Sequence, residues 1–321
     1  MLECRVNEII DKALEDNTFG KGFKFRKNQR NVIETICKTY LEDPMSTIVV
    51  DAPTGAGKSL IAMWSAHVLK ELGNKGYMVT SDLSLQDQYE SDFYNYGLRW
   101  PSIKGVDNYE CSVNGLPFSL GDCKLKGMGY EQAEKLPCWN TCEYLQNRKK
   151  AIDQPISLLN YSFWLIQRNY VEDKMRQEER EIPFKQRDFV FFDEAHKMDE
   201  IVQNHFSPRV DVNITDRLMT LSRFLSKHGL LSTSFTKGRV NSLVNELMTG
   251  NKLEVHSAMK DFDSILKGLN RLRKGANKYV KTRYGNSTVP KDWQKSFGTF
   301  DLIKDMHCKF DDYLELISKV G

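Results

Sequence analysis

The eight residues Ala52-Pro53-Thr54-Gly55-Ala56-Gly57-Lys58-Ser59 constrain this chain more than any other stretch. They fit the phosphate-loop template G-x-x-x-x-G-K-S/T, with Ala at its first position. Such a loop needs an apolar strand before it and a helix after it, because glycines open the backbone N–H groups and a helix N-terminus backs them. Thr47-Ile48-Val49-Val50 is the expected strand, and residues 59–72 read as the helix. The N–H groups of Thr54, Gly55, Ala56 and Gly57 would cradle phosphates, Lys58 would reach the β and γ oxygens of ATP, and Ser59 would ligate Mg²⁺.

The rest of the first two hundred residues keeps the same alternation. Val6, Ile9, Ile10, Ala13 and Leu14 make one helical stripe, and residues 28–43 make a second that stops at Pro44. Strands are predicted at 76–80, 155–159 and 188–192, with a helix at 85–94. Strands alternating with helices imply an α/β fold whose mostly parallel sheet is covered on both faces. Near its end, Phe189-Val190-Phe191-Phe192-Asp193-Glu194-Ala195-His196 puts two carboxylates at the tip of a buried strand, where α/β sheets bind ligands. Asp193 would hold Mg²⁺ through water and Glu194 would orient or deprotonate the attacking water. Alone, such a pair is most often a helix N-cap or a solvated edge; after a phosphate loop in one α/β domain it is the expected partner.

Residues 105–147 break the rhythm with five glycines, two prolines and four of the chain's seven cysteines. An odd cysteine count without a signal peptide argues against a disulfide framework, so Cys111, Cys123, Cys138 and Cys142 read as a metal site. Four thiolates suit a 4Fe-4S cluster or a tetrahedral Zn²⁺, and the irregular spacing favours iron-sulfur slightly, since zinc knuckles are usually paired at C-x2-4-C. Beyond residue 207 only helical stripes follow, at Leu218, Leu221 and Leu225, at Val255, Met259, Phe262, Leu266 and Leu269, and at Ile303, Met306, Phe310 and Ile317. The expected division is 1–104 and 148–206 for the α/β domain, 105–147 for the cysteine-rich insertion and 207–321 for a helical region.

A formal charge of +3 is too near balance for a polybasic protein, and no stretch approaches the ~18 apolar residues of a membrane span. The expected setting is cytoplasmic, with no membrane partner. Charge is local instead: Arg271, Arg273, Lys274, Lys278, Lys281, Arg283, Lys291 and Lys295 face one acid, Asp292, with Tyr279, Tyr284 and Trp293 interleaved. Cations for phosphates and aromatics for stacked bases are the ingredients of a single-strand groove; the plain alternative is a solvated loop between two helices.

GAGKS together with DEAH resembles the helicases of superfamily 2, and further segments resemble the iron-sulfur branch typified by XPD and DinG. Phe25-Arg26-Lys27-Asn28-Gln29 resembles the segment before the phosphate loop whose Gln, here Gln29, reads the adenine edge. Residues 80–88 resemble a segment whose Thr and Gln, here Thr80 and Gln86, lie near the nucleic-acid backbone. Residues 104–111 resemble the KGxxNYxC entry to the cluster domain, and Asn160-Tyr161 the NY that follows it. The resemblance spans roughly residues 22–200. It implies a RecA-like parallel sheet with an inserted iron-sulfur domain bound through the four cysteines, and a C-terminal helical arch. It also implies single-stranded or forked DNA as partner, 5′ to 3′ movement, and a coupling role for His196.

A helicase of this kind closes ATP between two RecA-like lobes, and the second lobe's arginine finger is worth on the order of 10³ to 10⁵ in rate. No strand followed by a Q-x-x-G-R-x-x-R-like helix occurs before Gly321, so a second lobe is expected in trans. Three readings remain open at this point: the ATP-binding part of a DNA helicase, a stand-alone ATP-responsive DNA-binding module, and a decoy within a helicase complex.

Overall fold

A computed structural model describes residues 2–208, 211, 213–230, 241, 242, 244–247, 252–285, 287 and 289–320. Three apolar runs pair as a parallel sheet: Gly76–Thr80 (β1), Ile156–Asn160 (β2) and Phe189–Phe192 (β3), in the order β2-β1-β3. β1 lies in the centre and is buried on both faces, which is why its residues run apolar without alternation. Gly76 pairs with Ile156 on one side and Phe189 on the other. A Cβ at Gly76 would stand 2.1 Å from the Phe189 ring, so glycine lets that ring lie across the strand.

Helices Leu2–Glu15 (α1), Gln29–Glu42 (α2), Lys58–Glu71 (α3), Leu83–Asn95 (α4) and Glu143–Asp153 (α5) surround the sheet. Tyr161–Ile166 (α6) leaves β2, and Met198–Phe206 (α7) follows β3. Trp64 of α3 is fully buried, stacked on Phe19 at 4.1 Å with Phe23 and Phe25 around it. At the opposite end of the strands, the Arg187 guanidinium donates to the carbonyls of Gly76 and Ala151, both at 2.8 Å, and lies 4.1 Å over the Tyr77 ring. One planar fork thus joins β1 to the helix that precedes β2.

The strand expected at Thr47–Val50 is not formed. These residues make no ladder, and Ile48, Val49 and Val50 are exposed, Val49 at 85%. A strand exists only through pairing, and among the described residues no strand pairs with the outer edge of β3. The outer edge of β2, by contrast, is covered: Ile103 N donates to Leu158 O at 3.0 Å and Leu158 N to Pro101 O at 2.9 Å.

The chain forms two compact units. One comprises residues 1–105 and 143–201; the other, 106–142 and 202–321. In the second unit Ile214–Lys227 (α8), Lys252–Tyr284 (α9) and Lys291–Val320 (α10) close a core from Leu218, Leu221, Leu225, Val255, Met259, Leu269, Val280, Phe297, Ile303 and Met306. The side chains of Phe262 and Ile317 lie outside the described residues. The cysteine-rich segment joins that core through Leu125, and a buried Lys126–Asp122 ion pair at 2.5 Å fastens it further. Lys126 Nζ also donates to Ser287 O, and Asp122 Oδ1 accepts from Val289 N, both at 3.3 Å. The insertion and the C-terminal helices therefore fold as one body. No helix among the described residues is long and apolar enough to cross a membrane.

His67 gives the first unit a pH dependence. Burial among Phe19 and Trp64, with Lys70 adding in the same direction, lowers its pKa to about 4. The unfolded chain binds a proton as the pH drops through about 6.5, while the folded imidazole stays neutral until about 4. Its contribution is therefore complete above pH 6.5 and lost between 6.5 and 4, up to about 3 kcal/mol. Urea unfolding across that range should show the loss, and His67→Gln should flatten it.

Candidate functional site

The phosphate loop is shaped by two left-handed glycines. Gly55 and Gly57 both have φ of 81°, and Gly57 caps the N-terminus of α3, from which Lys58 and Ser59 project. Side chains from the preceding segment hold this loop. Arg26 Nη1 donates to Gly55 O at 2.7 Å and Gln29 Nε2 to Ala56 O at 2.9 Å, while Gln29 Oε1 accepts from Arg26 N at 2.8 Å. A Cβ at Gly57 would lie 2.5 Å from Gln29 Nε2, so loop and glutamine fit only because that position is glycine. Gln29 is buried and both ends of its amide are engaged on the chain. It shapes the loop here, which differs from the expected contact with an adenine edge. Lys58 Nζ donates to Ala52 O at 3.0 Å, so the ammonium sits across the loop that it would serve.

Asp193 stands opposite. Its backbone N–H donates to Val79 O at 2.9 Å, continuing the β1–β3 ladder by one residue. Its Oδ1 accepts from Glu194 N at 2.9 Å and its Oδ2 from the Tyr89 hydroxyl at 2.8 Å. Ser59 Oγ lies 3.5 Å from the same Oδ2, a long contact. Two adjacent ligands of an octahedral Mg²⁺ stand about 3 Å apart, given metal–oxygen bonds of 2.0–2.1 Å. Hydroxyl and carboxylate are the hard oxygen donors this ion takes, so Ser59 and Asp193 fit it. Glu194 adopts φ 55°, and its carboxylate faces His196 Nδ1 at 3.3 Å on the exposed side.

Two tyrosines belong to this site: Tyr89, which carries no mark in the sequence, and Tyr161, which is marked there only as part of the Asn160-Tyr161 pair. Tyr89, on the inward face of α4, is 1% exposed, and burial followed by the neighbouring Asp193 charge raises its phenol well above the usual range. The Tyr161 hydroxyl donates to the Asp193 carbonyl at 3.3 Å, and burial pushes its pKa up to about 12. From sequence, a tyrosine at a helix-core position reads only as packing; the partner of its hydroxyl is a tertiary fact.

The other predicted residues are distributed differently. Thr80 and Gln86, expected beside a nucleic-acid backbone, are buried. Gln86 donates to Ser102 Oγ and Ile103 O and accepts from Asn160 Nδ2 at 2.9 Å, joining α4 to β2. In the second unit Cys111, Cys123 and Cys142 are buried and Cys138 is half-buried. Burial pushes the Cys123 thiol up to about 11, and the thiols of Cys111, Cys142 and Cys138 act on it in the same sense, which makes the four neighbours. Gly121 abuts Cys111: a Cβ there would meet Cys111 Sγ at 3.4 Å and Phe118 O at 2.9 Å. Among the described residues no three His, Cys, Asp or Glu converge on a single ion.

The basic stretch is not the loop or stacking groove that its composition suggests, since residues 271–284 continue helix α9. Arg273 is ion-paired to Asp301. Tyr279 lies 5.3 Å from Trp293, which is buried against Phe224 and His228, and Tyr284 packs on the helical core. Amphipathic patterning explains the difference: the aromatics fall on the face that closes the core, leaving Arg271, Lys274 and Arg283 exposed. His307, paired to Asp263 at 2.7 Å and Asp311 at 2.9 Å, pins α9 to α10.

Removing the glutamine clamp should loosen the phosphate loop. Gln29→Ala leaves Ala56 O and Arg26 N without these partners at about 1–1.5 kcal/mol, so binding of a fluorescent ATP analogue should weaken roughly tenfold, with the melting temperature of the first unit little changed.

The family described as type III restriction enzyme, res subunit, matches residues 22–215, a span that contains the loop, its Arg26–Gln29 clamp, all three strands and the Asp193–Glu194 pair. No curated protein matches the chain. With most of its length covered by that match, the chain belongs to the type III restriction enzyme res subunit family and carries the ATP-binding domain of a superfamily 2 helicase.

Proposed function

We propose that this protein is the ATP-binding part of an ATP-dependent DNA helicase of the XPD and DinG type, moving 5′ to 3′ on single-stranded DNA in the cytoplasm. A second RecA-like lobe would complete it. The observation that carries the reading is the convergence of Ser59, from the N-terminus of α3, with Asp193, from the tip of β3, which brings Oγ within 3.5 Å of Oδ2.

Bound Mg²⁺ would neutralise the triphosphate and polarise its terminal phosphoryl group. The chain's own residues do the rest. The backbone of residues 54–58 offers N–H donors at the start of α3, and phosphate oxygens compete with Ala52 O for the Lys58 ammonium. Asp193, fixed at both oxygens, holds its negative charge at one place, and Glu194 is the base or orienter for water. A second lobe's arginine would add the larger part of the rate.

We read the four cysteines as ligands of a 4Fe-4S cluster, with zinc as the alternative. What supports this is that the thiols of Cys111, Cys142 and Cys138 all lie close enough to act on that of Cys123, as ligands of one cluster would. The cluster would fasten a segment that has little regular structure of its own.

Purified protein should bind Mg·ATP and turn it over slowly, faster with single-stranded DNA. Lys58→Ala should abolish binding, and Asp193→Asn should lower kcat at least a hundredfold while ATP binding persists. ATP binding unchanged in Lys58→Ala would overturn the assignment. Anaerobically purified protein should be brown with about four irons per chain, falling sharply in Cys123→Ser; stoichiometric zinc in colourless protein would overturn the cluster.

A further inference from the structure

Helix α9 presents a feature that the ATP site does not use. Lys260, Lys267, Arg271, Lys274, Lys278 and Lys281 recur at intervals of three, four or seven residues, so they fall on one face of the helix. All six are exposed, and among the described residues none of them forms an ion pair. Residues 264–284 contain no acid, and Asp263, at the edge of the face, is engaged by His307. The face points away from the core formed by Ile265, Leu269, Ala276 and Val280. At 1.5 Å per residue the six cations span about 31 Å.

Two glycines flank this line. Gly268 and Gly275 lie one heptad apart inside the helix, where each costs about 1 kcal/mol relative to alanine. A Cβ at either would meet nothing within 4 Å, so the protein's own packing does not require them. They leave open backbone beside the cations, and a shallow concavity lined by Lys260, Asp263, Ser264, Lys267, Gly268 and Arg271 lies along it, its one carboxylate being the one that His307 engages.

We infer that the outward face of α9 binds the phosphate backbone of a nucleic-acid duplex. A straight line of cations with no exposed aromatic is a phosphate reader. The aromatics that a single-strand platform would stack, Tyr279, Tyr284 and Trp293, are turned into the core. A duplex keeps its bases inside and offers one charge per 1.7 Å of axis; one turn of it, about 34 Å, matches the length of the line. The glycines let the broad rod approach the helix closely. The contacts of this face are to phosphates and so are independent of sequence.

The test compares a 20-base-pair DNA duplex with a 20-mer of dT by fluorescence anisotropy between 50 and 200 mM salt. Four neutralised cations, in Lys267→Gln/Arg271→Gln/Lys274→Gln/Lys278→Gln, should lower the slope of log K against log salt for the duplex by about 3 to 4 and its affinity at 50 mM at least tenfold. Binding of dT should change less than twofold. Arg271→Lys should keep the duplex slope. Gly268→Leu/Gly275→Leu, which fills open space without touching the core, should preserve the melting temperature and weaken duplex binding at least fivefold. Unchanged duplex affinity in the quadruple variant, or a loss for dT equal to or greater than that for the duplex, overturns the inference.

Discussion

Everything at the ATP site depends on one carboxylate having no freedom. Asp193 is bonded at its amide by β1, at its carbonyl by Tyr161, at Oδ1 by its successor's N–H and at Oδ2 by Tyr89. The Tyr89 bond is charge-assisted and enclosed, so it is among the stronger that a neutral donor makes. The opposite wall, the phosphate loop, is held just as firmly by Arg26 and Gln29. Beyond the Glu194 N–H, both walls are shaped by residues distant in sequence: Tyr89 and Asp193 are 104 residues apart, and Gln29 and Ala56 are 27. The parallel sheet is the device that brings them together.

A second constraint operates in the helical unit. The cysteine-rich segment is poor in periodic structure, yet the Asp122–Lys126 pair and Leu125 fix one of its turns to α9, α10 and the connection between them. Breaking either partner of such an enclosed pair strands the other charge. The four cysteines therefore belong to a segment whose position the helices determine.

Local chemistry was readable before the fold was known, and long-range partnership was not. The loop GAGKS, the acid pair after FVFF and the helices of the first ninety-five residues are encoded within a few neighbours each, so spacing and side-chain type reveal them. Thr47–Val50 reads as a strand because its residues are apolar and β-branched, but pairing needs a neighbour that composition cannot supply. Residues 271–284 read as a basic aromatic loop; the helical period then sorts lysines outward and tyrosines inward, and only the partners Asp301 and Trp293 show which cation and which ring are already engaged. Gln86 looked like a surface donor, and became an internal link once Asn160 and Ser102 were seen beside it.

The strand that ends in Asp193 also carries an optical consequence. Phe192, one residue before the carboxylate, meets the Trp164 indole edge-on at 5.1 Å and stacks on Tyr161 at 5.5 Å. The Trp164 N–H is buried without a hydrogen-bond partner, so its Phe192 contact is the indole's link to the strand tip. Movement of the tip by a fraction of an ångström would alter those contacts directly. The protein thus contains an indole within two side chains of the Asp193 carboxylate, in place of an attached dye.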